Sequence, residues 1–278
     1  MNQLNSKKRK LSKTYLIWVK GLAGFLLLIF TSAFQEKTDI SNLSTNYLIH
    51  DNEDGKRLVT LQSDEFRAYS ARFHHQLRYD DGQDTIAPKI LNYALQGYLF
   101  LKHTDELASD RYLTVIDFTL FCNKKRLWVI DIDTKKVIFN ELVAHGAQTG
   151  EEYAKYFSNK YGSNKSSLGF YTTGGTYFGS NNLSLKLSGM EAKFNSNAFA
   201  RGIVIHGASY VNGDLVTRKE RIGRSFGCPA VSQKINTQLV NTLKGGNCLF
   251  IYSTTADYLQ KSAILNANLY ITVDELSI

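Results

Sequence analysis

The chain has 278 residues, 43% of them hydrophobic and 21% charged, which excludes a disordered chain and suffices for one large or two small domains with a real core. Its 16 Tyr and 16 Phe against 2 Pro favour a β-rich fold with aromatic packing. The formal net charge of +8 would suit a nucleic-acid partner, but six bases (Lys7, Lys8, Arg9, Lys10, Lys13 and Lys20) fall in residues 1–33, which hold no acid; the remainder carries 27 bases against 25 acids, so a nucleic-acid function loses its main support.

Residues 1–33 read as a signal peptide or signal anchor. "KKRK" at 7–10 is a basic n-region, "GLAGFLLLIF" at 21–30 an apolar core, and Thr31-Ser32-Ala33 a small-x-small cleavage site. Lys20 interrupts the apolar run that starts at Tyr15. What remains is short of the roughly 20 residues a spanning helix needs. Cleavage is therefore the leading reading and a membrane anchor through residues 15–33 the alternative; both send the chain to the periplasm or cell envelope. No Cys lies near the end of this segment, so a lipoprotein anchor is unsupported.

Residues 34–110 read as a linker and a helical N-terminal region. Residues 34–60 are polar and rich in Asn, Ser and Thr. Helices are predicted over 63–80 and 87–101; the second starts at Pro88, a favoured first-turn residue, and puts Ile90, Leu91, Ala94, Leu95 and Tyr98 on one stripe. From 111 to 255 the pattern turns to strands: "YLTVIDFTLF", then "RLWVIDI" leading through Asp133–Lys136 into "VIFNELVAHG" as a hairpin. Residues 148–168 have no clear period and read as a long surface loop, a type often functional. "GFYTTGGTYF" is predicted as a hairpin turning at Gly174-Gly175. "LSLKLSG" alternates Leu183, Leu185 and Leu187 on one face, and "GIVIHG" is a strand apolar on both. Ser232 can cap a helix over "QKINTQLVNTL", and "CLFIY" is predicted as the final strand, leaving 256–278 as a C-terminal tail. The fold class is mainly β with helices (α+β).

The chemistry concentrates in "IVIHGASYVNGDLVTRKERIGRSFGCPAVS", residues 203–232. GRSFG matches the Gly-x-Ser-x-Gly of serine hydrolases. That elbow needs a buried strand before it and a His after it. Here the preceding residues, "VTRKERI", are charged, and all six His lie at or before His206. Ser225 is better read as shaping the turn or supplying a hydrogen bond at the site.

Cys228 is the other candidate. Each of the three Cys can be a small buried hydrophobe, and in an oxidising compartment two could pair, leaving an odd thiol. Burial suits Cys248 and Cys122 and fits the turn-borne Cys228 poorly. A reactive thiol needs a base or a positive environment. His206, ending a strand before Gly207, is the candidate base, with a backbone carbonyl able to orient its ring. Arg221, Arg224 and the helix starting near Ser232 add positive potential. The N–H groups of Gly227 and Cys228 are candidates for an oxyanion hole. A zinc site of His145, His206 and Cys228 is the competing chemistry, although no pair among them has ligand-type spacing. On spacing alone, a structural Cys with a capping His stays open.

The whole stretch resembles the signature of the L,D-transpeptidase catalytic domain, the YkuD-like fold, in the murein branch that carries H-G … G-R-S-x-G-C-P-A-V. "LTVIDFTLFCNKKRLWVIDI", "LVAHG", "SSLGFYTTGGTYFG" and "SLKLSGME" extend the resemblance over roughly 111–253. It implies a mostly β domain of packed sheets with the site in a cleft. Cys228 is then the nucleophile, His206 its base, and the Gly207 carbonyl the group that orients the ring. The implied substrate is a peptidoglycan tetrapeptide stem: D-Ala leaves, and the acyl group passes to a stem amine, a wall-linked protein or water, without metal or organic cofactor. An L,D-carboxypeptidase or endopeptidase, and a non-catalytic wall-binding protein, remain the alternatives. Many members carry Arg two residues after the Cys, where this chain has Ala230. Arg224 and Arg201 are candidates to bind a stem carboxylate in its place, and Ser225, His145, Ser167 and Tyr171 candidates to line the cleft.

Overall fold

The computed structural model describes residues 56–276; the expected leader and most of the expected linker lie outside the described residues. Among the described residues two helices precede the large sheet. α1 (Asp64–Gln76) starts where the Ser63 hydroxyl accepts the Phe66 N–H at 3.1 Å, carries Asp64 and Glu65 in its first turn, and buries Phe66, Tyr69 and Phe73 at helical spacing. α2 (Pro88–His103) starts at its Pro and buries the predicted stripe. A glycine inside that helix has a packing reason. A Cβ on Gly97 would fall 2.0 Å from the ring of Phe170, which stacks on Phe250 at 4.2 Å in the middle of the sheet. Helix and sheet thus share one hydrophobic core, with residues of α1, α2 and the strands in the same cluster.

Eight strands form one hydrogen-bonded sheet, in the order β4-β3-β2-β9-β5-β6-β7-β8. These are β2 (Tyr112–Asp117), β3 (Lys125–Asp131), β4 (Lys136–Leu142), β5 (Gly169–Gly179), β6 (Asn182–Gly189), β7 (Val204–Ala208), β8 (Ala230–Ser232) and β9 (Cys248–Tyr252). β2 with β9 and β7 with β8 are parallel; the other neighbours are antiparallel. The two edges of the sheet meet, because Ala144, just past β4, bridges Ala230 of β8. Between β7 and β8 runs the short α3 (Gly213–Thr217). α4 (Gln233–Leu243) begins at Ser232, whose hydroxyl accepts the Lys234 N–H, and packs on β6, β7 and β8.

Two expectations are corrected. Gly174-Gly175 is not the hairpin turn: β5 continues through it with a register shift between Thr173 and Thr176, and the turn falls at 180–181, before Asn182 at φ 60. The glycines serve a bulge rather than a reversal, since Tyr177 and Phe178 resume pairing beyond them. Nor is "CLFIY" the last strand. It is the interior strand β9, and α5 (Ala256–Lys261) and β10 (Tyr270–Thr272) follow it. β10 pairs antiparallel with β1 (Leu58–Thr60), so the tail closes on the residues read as the end of the linker.

Candidate functional site

The site is a turn held by its own serine. Ser225 is buried; its hydroxyl donates to the Cys228 carbonyl at 2.6 Å and accepts the Gly227 N–H at 3.1 Å. Its main chain is pinned as well, the N–H donating to the His145 carbonyl at 3.0 Å and the carbonyl accepting the Ala147 N–H at 2.7 Å. Between Ser225 and Cys228 the chain passes through Gly227 at φ +127, where a Cβ would sit 2.9 Å from the Lys165 carbonyl oxygen and 3.1 Å from Ile203. Only glycine fits there. Ser225 therefore shapes the turn, and the serine-nucleophile reading has no geometry to support it.

β7 brings His206 to the same place. His206 pairs with Ala230, two residues beyond Cys228 in the parallel ladder. Its Nδ1 lies 3.1 Å from the Gly207 carbonyl. A carbonyl only accepts, so Nδ1 carries the proton and Nε2 presents its lone pair. Gly207 itself is dictated by packing: a Cβ would fall 2.9 Å from the Cβ of Asn236 on α4. Cys228 is half-buried, with Sγ at 3.6 Å from the Gly202 carbonyl. Burial pushes its thiol up, opposed in part by the Val204 N–H and the Arg201 guanidinium. Burial likewise pushes the His206 imidazole down, opposed by the bond to Gly207. Both shifts act in the direction that disfavours a thiolate–imidazolium ion pair.

The other expected residues divide. Of the two N–H groups expected to hold an oxyanion, that of Gly227 is engaged by Ser225, while that of Cys228 has no hydrogen-bond partner among the described residues. His145 is buried, Nδ1 accepting from Arg126 at 2.9 Å and Nε2 donating to the Gly150 carbonyl at 3.1 Å. Burial, then the charge of Arg126, lowers it to about 4. With both nitrogens committed it offers no lone pair to a metal, which removes the zinc reading; no group of three His, Cys, Asp or Glu converges among the described residues.

Arg201 donates to the carbonyls of Ser158 and Lys165 and to the hydroxyls of Ser163 and Ser167, and so organises a loop. Ser167 and Tyr171 are buried, the Tyr171 hydroxyl donating to the Ser167 carbonyl at 3.0 Å, and both support that loop from beneath. Arg224 donates to the Ala147 and Gly150 carbonyls and to Glu151. The three Cys are unpaired.

Two residues escaped sequence reasoning. Ser166 lies in the unperiodic loop; its hydroxyl accepts the Gly146 N–H at 3.0 Å and donates to the Gly227 carbonyl at 3.1 Å. Nothing in its neighbours marks it. Arg126 is fully buried inside an apolar strand. That charge at an inward position was a signal available in "KRLWVID".

Fold and site together define a sheet-based domain with an oriented imidazole on β7 and a thiol in the turn that leads into the neighbouring strand β8. Comparison with protein families matches the L,D-transpeptidase catalytic domain over residues 82–252, and the chain belongs to that family. Comparison with curated proteins found no match. Among solved structures, the chain is similar to an L,D-transpeptidase from Mycobacterium smegmatis at 12% identity, with a TM-score of 0.33, over 51% of this chain and 59% of that one. It is also similar to L,D-transpeptidases from Xylanimonas cellulosilytica (16%, TM-score 0.29, 68% of this chain and 94% of that one) and Stackebrandtia nassauensis (14%, TM-score 0.31, 69% and 92%). The chain spans 59% of the length of the first of these.

Proposed function

We propose that the protein is an exported cysteine L,D-transpeptidase of peptidoglycan. The observation that carries this reading is the Nδ1 contact of His206 with the Gly207 carbonyl, which leaves Nε2 as a base on the strand paired beside the Cys228 turn. Cys228 Sγ attacks the carbonyl carbon of the peptide bond before the terminal D-Ala of a tetrapeptide stem, and its proton passes to His206 Nε2. The Cys228 N–H stabilises the oxyanion that forms. The C–N bond breaks, the D-Ala amine takes the proton from His206, and a thioester remains. An acceptor amine then attacks the thioester, gives its proton to His206, and the thiol is restored as the new amide leaves.

Burial that raises the thiol and lowers the imidazole favours general-base catalysis, in which the thiol is deprotonated during attack. The test is mass spectrometry of the protein with a carbapenem: an adduct on the parent that disappears in Cys228→Ala is expected, and a parent without adduct would sink the reading in favour of a wall-binding protein. Muropeptide analysis then separates the acceptors. Stem-to-stem cross-links indicate a transferase, and trimmed monomers an L,D-carboxypeptidase.

A further inference from the structure

Beside the nucleophile turn lies an open cavity of about 560 Å³ lined by Gln148, Glu151, Lys155, Tyr156, Arg221 and Arg224, among others. One feature of its wall is a carboxylate held by two guanidinia. Arg224 Nη1 lies 2.7 Å from Glu151 Oε1, and Arg221 Nη2 lies 3.4 Å from Glu151 Oε2. The Glu151 side chain is 70% exposed, whereas those of Arg221 and Arg224 are 31% and 23% exposed. The cations are thus set into the surface and the anion is laid over them from solvent.

Both cations also have backbone partners besides Glu151. Arg224 is fixed by the carbonyls of Ala147 (2.8 Å) and Gly150 (3.0 Å), and Arg221 by the carbonyl of Ile222 (2.9 Å). An exposed ion pair is worth little, so Glu151 is cheaply displaced. A preorganised pair of guanidinia is what carboxylate recognition requires. The site connects to the reaction centre through two links: Arg224 precedes Ser225 in sequence, and the Ala147 N–H donates to the Ser225 carbonyl at 2.7 Å.

We infer that Arg221 and Arg224 form a carboxylate-binding site for the stem peptide, and that Glu151 fills it in the resting protein as a displaceable internal carboxylate. The inference rests on the stem-peptide reading above. It assigns the binding of a substrate carboxylate to a cavity wall ahead of the Cys, in a chain that has Ala230 where many of its family have Arg.

The test uses the full chain as Cys228→Ala, so that a synthetic tetrapeptide stem ending in D-Ala binds without turnover, with Kd read by calorimetry at low salt. Glu151→Gln should tighten that stem about threefold to tenfold, and Arg221→Gln should weaken it by a similar factor. Amidating the stem carboxylate that enters the site should abolish both effects. Separate stems amidated at the C-terminus or at a third-residue side chain identify which carboxylate that is. Unchanged Kd values in both variants, weaker binding by Glu151→Gln, no measurable binding by the Cys228→Ala protein, or effects that persist with every amidated stem would overturn the inference. Matching thermal melts show that each variant is folded. Failure of the enzyme reading is seen separately, as absence of the Cys228 adduct in the parent.

Discussion

Replacing Ser225 with Ala separates the two roles that GRSFG suggests. The substitution removes one hydroxyl and with it two hydrogen bonds, to the Cys228 carbonyl at 2.6 Å and from the Gly227 N–H at 3.1 Å. A buried backbone group left without its partner costs roughly 1–3 kcal/mol. Cys228 is half-buried, so water can reach part of the gap, and the lower end of that range applies to each bond. The expected loss is about 2 kcal/mol, a fall in Tm of roughly 4–8 °C for a domain of this size. The slack falls on the residue that carries the thiol. If about 1.4 kcal/mol of that loss is expressed in positioning, acylation slows about tenfold. The assay is a thermal melt together with the rate at which a carbapenem adduct accumulates, followed by peptide mapping. A slower adduct that still maps to Cys228 is expected. A variant that melts within about 1 °C of the parent and acylates at the parental rate would refute the argument, and an adduct mapping to Ser225 in the parent would reverse the assignment of the nucleophile.

Three further outcomes follow from the same geometry. Since burial raises the Cys228 thiol and lowers His206, alkylation by iodoacetamide should rise with pH to an inflection above that of an ordinary cysteine; an inflection at or below ~7, the range of ion-paired catalytic thiolates, would show a thiolate–imidazolium pair instead. Gly207→Ala should destabilise by about 1–3 kcal/mol, because its Cβ would press on Asn236 at 2.9 Å and move the carbonyl that orients His206; a denaturant melt checks it, and no change would mean that α4 yields freely. His145 is held neutral with its value lowered to about 4, so its contribution is present above about 6.5 and is lost as the pH falls toward 4, an acid-side loss of roughly 3 kcal/mol; His145→Asn should flatten the stability profile over that window, and an unaltered profile would contradict the assignment.

The parts of the fold that were legible are those with a strong local pattern. Pro88 and the stripe from Ile90 to Tyr98 announce α2, and Ser232 announces α4, because helix starts and 3.6-residue periods are local properties. The paired glycines at 174–175 misled because one dipeptide serves equally for a turn and for a bulge, and only the pairing of Tyr177 and Phe178 beyond it decides. The strand β10 was missed because its three residues pair with β1, far away along the chain, a contact with no local signature. At the site, His206 and Cys228 were visible through their motif. The engagement of the Gly227 N–H by Ser225 was not, since it depends on a hydroxyl rotamer inside the turn. Arg201 and Arg224 were read as candidates to bind a stem carboxylate, and sequence does not reveal that each also donates to two backbone carbonyls.

Those cations account for how an irregular loop can be held against the Cys228 turn. Residues 143–168 run past the Cys228 turn with no helix or strand of their own. Their backbone carbonyls need donors, and three guanidinia supply them: Arg126 to Val143, Arg224 to Ala147 and Gly150, and Arg201 to Ser158 and Lys165. Arg201 does so with both arms of its planar fork, Nη1 on Ser158 and Nη2 on Lys165, a geometry that the point charge of a lysine does not reproduce. The same logic explains Ala230. That side chain is fully buried in the cluster of Cys122, Ala144, Ala208, Val211 and Ile222, where the two edges of the sheet meet. A guanidinium at that position would sit in apolar surroundings and break the bridge to Ala144, a cost of several kcal/mol for an unpaired charge. In this chain the edge closure takes the position two residues after Cys228, and the positive charge that acts on the thiol comes from Arg201.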